Sequence, residues 1–348
     1  MRIGLFVVKK MTAHVAVAVM GASIAFGAVA AGTIKPSEED IAKFLRPAAV
    51  PQEPTNMMTP ERVELGKFLF FDPRLSGSNF ISCATCHNPA LGWSDAQPTA
   101  IGHGMGQLAR STPTILNTAY QSFQMWDGRE RTLEEQALGP IEAGGEMAQP
   151  IAELIPELKA IPQYLKMFES AYPGEGITKA SIGKAISSFE RTVVSTDASF
   201  DRWLKGVDTA MTDSAKRGFE LFKGKANCVA CHSGFNFTDN GFHNIGLPDS
   251  KDDGRYLIKK VAVLKGAFKT PTLRDIALTA PYMHNGQYNT LSAVVEHYNR
   301  GGDKNPGHLD PNMKPLNLSK EEQQDLVSFL KSLTGDPMPL VVPQLPVN

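Results

Sequence analysis

Ser82-Cys83-Ala84-Thr85-Cys86-His87 and, in the second half of the chain, Cys228-Val229-Ala230-Cys231-His232 decide how this sequence reads. Both contain Cys-x-x-Cys-His, and together they use all 4 cysteines of the 348 residues, leaving none for a structural disulfide. The pattern is the attachment signature of c-type haem: two thiols add to the porphyrin vinyl groups, and the next residue, histidine, is placed to bind iron. A zinc site would need the two pairs to converge and would leave both histidines unexplained. A redox dithiol needs neither the histidine nor a second copy. The reading is therefore two covalent haems, held by Cys83, Cys86 and His87 and by Cys228, Cys231 and His232.

The approach to each motif is alike. Gly66-Lys67-Phe68-Leu69-Phe70 precedes the first and Gly218-Phe219-Glu220-Leu221-Phe222 the second. Thr59-Pro60-Glu61 starts the first approach helix with a cap and a proline, and residues 213–222 form the second. Further helices are expected over 151–171, interrupted at Pro156 and Pro162, and over 178–194. Another begins at the Ser319/Glu322 capping box and is ended by Gly335. Strand-like alternation is scarce. The expectation is a mainly α fold of two cytochrome c-like haem lobes with long loops, formed by duplication. Residues 31–205 make the first lobe and 206–348 the second.

Composition agrees. Hydrophobic residues are 42% and charged residues 20%, which excludes a disordered chain. Lys+Arg 35 against Asp+Glu 36 gives a net charge of −1, without the basic excess of a nucleic-acid binder. Arg2, Lys9 and Lys10 precede an apolar, alanine-rich run that contains Ala28-Val29-Ala30. This predicts a cleaved signal peptide over residues 1–30 and export to the periplasm, where c-type haem is attached.

Beyond the motifs, the chain resembles the bacterial dihaem cytochrome c peroxidase family, including its MauG-like branch. The landmarks are Leu65-Gly66-Lys67-Phe68-Leu69-Phe70-Phe71-Asp72, Ile101-Gly102-His103-Gly104 and Pro113-Thr114. Trp126-Asp127-Gly128-Arg129, Thr270-Pro271-Thr272-Leu273-Arg274 and Pro281-Tyr282-Met283-His284-Asn285-Gly286 complete the set. The resemblance implies a peroxidatic haem at His87 and an electron-transfer haem at His232. It makes His103 the distal histidine of the first haem, Glu146 the distal acid–base, and Gln136 and Pro140 neighbours in that pocket. It sets Trp126 between the haems and His284 near the second, while His243, His297 and His308 are left as surface or packing residues. It also implies calcium between the lobes, bound by the carbonyls of Thr279 and Pro281 and by Ser111. Asparagine is usual at that last position, and serine is a poorer ligand.

The sixth ligand of the second haem divides the family. Methionine is usual in the peroxidase branch, fourteen residues after the histidine of Pro-Tyr-x-His; here that count reaches Tyr298, the MauG-like condition. Met313, His297 and Met283 are the alternatives. The resemblance implies an oxidoreductase that reduces hydrogen peroxide to water with electrons from a small cytochrome c or cupredoxin. The alternative is a MauG-like enzyme that uses peroxide to oxidise residues of a partner protein, and a third reading is a non-enzymatic dihaem carrier. A homodimer is the expected assembly.

Overall fold

The computed structural model describes residues 34–303 and 308–347, together with Met1 and Gly4. The leader expected over residues 1–30 lies outside the described residues, those two apart. Among the described residues, no helix is long and apolar enough to cross a membrane.

The first half contains α1 (Glu38–Phe44), α2 (Pro60–Phe71), α3 (Cys83–Cys86), α4 (Leu133–Gln136), α5 (Gly139–Glu142), α6 (Ile151–Lys159), α7 (Pro162–Ala171) and α8 (Lys179–Glu190). The second contains α9 (Ser199–Leu204), α10 (Asp213–Lys223), α11 (Tyr256–Lys259), α12 (Leu291–Asn299) and α13 (Lys320–Ser332). Two short strands, β1 (Phe242–His243) and β2 (Phe268–Lys269), pair antiparallel. The caps act as the sequence predicts: Thr59 Oγ1 accepts from Arg62 N–H, and Ser319 forms a capping box with Glu322.

Three helix limits differ from expectation. Pro156 lies inside α6 without ending it, because Leu154 and Leu158 are buried in the core and hold the helix across the missing N–H. The break comes at Ala160–Ile161, and Pro162 opens α7. Helix α8 stops at Glu190 rather than 194; Arg191 turns away to pair with Glu134 at 2.8 Å. Helix α13 ends before Gly335, whose N–H donates to Asp275.

Each lobe is built on one close helix crossing. A Cβ on Gly66 of α2 would lie 1.9 Å from the Ala185 carbonyl oxygen of α8. A Cβ on Gly218 of α10 would lie 2.0 Å from the Asp325 carbonyl oxygen of α13. Only glycine lets the helix backbones approach so near. Around the first crossing, Leu65, Leu69, Phe70, Ile182, Ile186 and Phe189 make one core. Around the second, Phe44, Phe200, Trp203, Phe219, Phe237 and Phe329 make the other.

The first core reaches Val193 along the chain and the second takes up from Phe200. The chain ends also cross over: Phe44 of α1 is buried in the second core, and Met338 and Leu340 pack against the first.

The duplication reaches further than the approach helices. Residues 113–133 and 271–291 align without a gap, sharing Pro-Thr at the start, Met125 with Met283, Gly128 with Gly286, and Thr-Leu at the end. The backbone follows the alignment. Met125 and Met283 both have positive φ, and Thr132 and Thr290 both cap helices. At the centre the two halves bond reciprocally: Ser111 N–H donates to the His284 carbonyl at 2.7 Å, and Lys269 N–H to the Trp126 carbonyl at 2.8 Å.

Candidate haem centres and the space between them

The two motif histidines are held in the same way. His87 Nδ1 lies 3.2 Å from the Trp93 carbonyl oxygen, and His232 Nδ1 lies 2.9 Å from that of Phe237. A carbonyl only accepts, so Nδ1 carries the proton in both rings and Nε2 is left as the donor atom. Burial lowers both imidazole pKa values, opposed by these carbonyls, and keeps the rings neutral as iron ligation requires.

Burial pushes the Cys86 thiol up to about 11 and the Cys228 thiol to about 12, and raises Cys83 as well. A redox-active dithiol needs a depressed pKa, so this environment argues against that reading. All four cysteines are free of disulfides. Each lobe offers two thiols and one neutral imidazole, a donor set that fits two covalent haems, and His87, Cys228, Cys231 and His232 line one shared cavity.

That cavity is lined by both His87 and His232, and also by Trp126 and His284. Trp126 Nε1–H donates to the Ser111 carbonyl at 2.9 Å. The indole meets the His284 ring edge-on, centroids 6.4 Å apart. His284 is stacked on Phe268 at 3.7 Å, and burial drives its pKa down to about 4. The matched residues of the two halves thus meet at the junction.

On the first side, Gln136 lines the cavity. Glu146 is half-buried; burial raises its carboxyl pKa and Arg129 opposes the rise. Its charge reaches the Cys86 thiol, which places it beside the first motif. His103 N–H donates to the Glu146 carbonyl at 2.8 Å and that of Gly145 at 3.2 Å, so the two loops run together. The His103 side chain is exposed and lies off the cavity wall. Pro140 is half-buried in α5.

On the second side, Tyr298 of α12 lines the cavity with Met313 and Met283. Burial raises the Tyr298 hydroxyl pKa, and so does the charge of the Cys228 and Cys231 thiols nearby. His297, the third alternative, has both ring nitrogens engaged: Nε2 with the Ile245 carbonyl at 2.9 Å and Nδ1 with Tyr288 Oη at 3.1 Å. Its ring is part of the packing. Ser111, Thr279 and Pro281 all line the same cavity near Trp126.

His243 is neither a loose surface residue nor simple packing. It lies between Asp310 at 2.6 Å and Asp239 at 2.9 Å, beside Cys231. Sequence reading also passed over Trp93 and Phe237, whose carbonyls orient the two motif histidines. The signal available was position: each closes the loop that follows its motif.

Comparison with known proteins agrees with this construction. The profile of the di-haem cytochrome c peroxidase family matches residues 60–209, and that of cytochrome c matches residues 215–334. The chain is 47% identical over 324 residues to methylamine utilization protein MauG of Methylorubrum extorquens, covering 91% of this chain and 92% of that one. It is 39% identical to cytochrome c551 peroxidase of Nitrosomonas europaea, covering 85% and 87%. Among solved structures, a MauG-like protein associated with microbial copper homeostasis superposes with TM-score 0.78 at 32% identity, over 84% of this chain and 95% of that one. A dihaem peroxidase of Burkholderia thailandensis shares the fold, with TM-score 0.71 at 22% identity, over 85% and 93%. A two-lobed, mainly helical chain with two c-type haem sites and relatives of both kinds is a peroxidase, and it belongs to the dihaem cytochrome c peroxidase family.

Proposed function

We propose that the first lobe consumes hydrogen peroxide, with Glu146 as its acid–base group and Gln136 as a polar contact for peroxide or water. The balanced reaction takes one peroxide, two electrons and two protons to two waters. The haem, when bound, supplies the iron that accepts the peroxide oxygen and the electrons that cleave the O–O bond. Glu146 takes the proton from the near oxygen and returns it to the departing one. Burial raises its pKa, with Arg129 opposing, and this half-buried carboxyl beside the first motif is the observation that carries the reading. His103 is exposed, and its backbone N–H bond to the Glu146 carbonyl keeps it on the loop beside the proposed acid–base group.

Glu146→Gln tests the assignment, because it keeps the volume and removes the proton acceptor. The rate of reaction with peroxide should fall by about a hundredfold or more, with both haems retained by pyridine haemochrome assay. An unchanged rate would remove Glu146 from the role.

A second reading, oxidation of a partner protein, is favoured by Tyr298. A phenolate favours ferric iron where a thioether favours ferrous iron, which suits storing two oxidising equivalents better than relay from a high-potential donor. The relatives named MauG agree with it. In either case the Ser111, Thr279 and Pro281 positions are our assignment for calcium, and the N-terminal charge and alanine-rich run support export to the periplasm.

For the electron donor we assign the face around α11. Leu257, Ile258, Val261 and Val263 are exposed there among Lys259 and Lys260, an apolar patch in a basic setting. Arg255 ties this segment to the Trp126 loop by donating to the carbonyls of Asp127 and Gly128, at 2.8 and 2.6 Å. The charge suits a small redox protein with an acidic rim.

A further inference from the structure

Lys269 has no part in the peroxidase reading, yet its placement is unusual. It is 6% exposed and lines the cavity between the lobes. Its Nζ donates to Gln121 Oε1 at 2.8 Å, and among the described residues no carboxylate lies within ion-pair distance. An ammonium offers three donors, and one is used. A buried cation with so little around it is costly unless a counter-charge completes the site.

The repeat says where that site lies. Continuing the alignment of the two halves sets Lys269 on Ser111 and Gln121 on Thr279. The reciprocal hydrogen bonds from Ser111 to His284 and from Lys269 to Trp126 obey the same register. Ser111 and Thr279 are two of the three positions assigned to calcium. The Lys269–Gln121 pair therefore holds the matching position across the pseudo-twofold axis, with an ammonium where the other side has polar oxygens.

We propose that Lys269 is the chain's own cation at the mate of the calcium position, and that its ammonium pairs with a propionate carboxylate of a haem in this cavity and sets that haem's potential. Lys269 is a positioning residue, touching the cofactor's periphery and not the reacting atoms. Burial pushes its pKa down to about 8, with Asp239 opposing, so it is charged at neutral pH; a carboxylate partner would hold it charged further into the alkaline range. The inference rests on the two haems and is indifferent to whether peroxide oxidises a small donor or a protein substrate.

Spectroelectrochemical titration of the loaded protein is the test. Lys269→Met keeps most of the stem and removes the charge, so ferric iron is less disfavoured and one of the two midpoint potentials should fall. At the wild-type midpoint the ferric-to-ferrous ratio of that haem should rise by about tenfold. Lys269→Arg should keep the potential near that of the wild type. Unchanged midpoints in Lys269→Met with both haems attached would overturn the proposal, even if its melting temperature fell. Should Lys269→Met fail to load haem, Lys269→Gln, which also removes the charge, is titrated in its place: a lowered midpoint supports the pairing, and unchanged midpoints reject it.

Discussion

At the scale of single residues, the two lobes use one device: a backbone carbonyl fixes the tautomer of the motif histidine, which leaves Nε2 as the donor atom. Tyr298, which lines the cavity near Cys228 and Cys231, is our proposed sixth ligand of the second haem. Tyr298→Phe should shift the potential and spin state of the second haem, read by titration and electron paramagnetic resonance, whereas Met313→Leu should leave both in place. A far-red methionine–iron band that persists in Tyr298→Phe would transfer the ligand role to Met313. Glu190 makes a different prediction. It is buried beside Cys83 with Oε2 unpaired, and burial pushes its pKa up to about 8 from an ordinary 4.5. The folded state therefore favours its protonated form, a contribution fully present below about pH 4.5 and lost as pH rises through about 8. Glu190→Gln should raise the melting temperature at pH 9 by several degrees and change it little at pH 5. An equal effect at both values would show that ionisation of Glu190 does not limit stability.

At the scale of elements, the helix crossings carry each lobe. The α10–α13 contact is clamped by Asp325, which pairs with Arg217 at 2.7 Å and accepts from Ser214 at 2.6 Å. Gly218→Val would force a side chain into the Asp325 carbonyl and the Phe329 Cβ, the latter at 2.8 Å from the added Cβ. The helices would have to part, at a cost of about 3 kcal/mol or more. Thermal unfolding should show the loss, and attachment of the second haem should drop. Gly139→Ala is the control: nothing lies within 4 Å of the added Cβ, and the change should cost little. Arg274, 1% exposed, fixes the second lobe from within by pairing with Asp201 at 2.8 Å and donating to the Phe235 carbonyl.

At the scale of the whole molecule, the lobes are locked together. Arg110 bridges Asp127 of the first half and Asp252 of the second, both at 2.7 Å. The exchanged ends add Phe44 to one core and Met338 to the other. This junction carries the exposed patch around α11, tied by Arg255 to the Trp126 loop. Lys259→Glu with Lys260→Glu should raise the KM for an acidic donor several-fold and reduce the dependence of its second-order rate on ionic strength. The reaction with peroxide itself should be unaffected. If the donor kinetics are also unchanged, electrons enter elsewhere.

The sequence by itself determined the chemistry that is local. The Cys-x-x-Cys-His signature lies within five consecutive residues, and caps such as Thr59-Pro60 and Ser319/Glu322 act within one turn, so both could be read from residue order. The approach glycines were legible as a repeat, but their reason, a carbonyl 1.9 or 2.0 Å from where a Cβ would be, is a fact of packing. The longer repeat over 113–133 and 271–291 was hidden by sparse identities and by a register different from that of the cysteine motifs. Only the tertiary structure decided what depends on distant segments meeting. Trp126 faces His284, His297 is withdrawn from the ligand contest by Ile245 and Tyr288, and Lys269 is enclosed opposite Ser111. A side chain's partners across such distances are set by how the cores close, and no local preference of the chain encodes them.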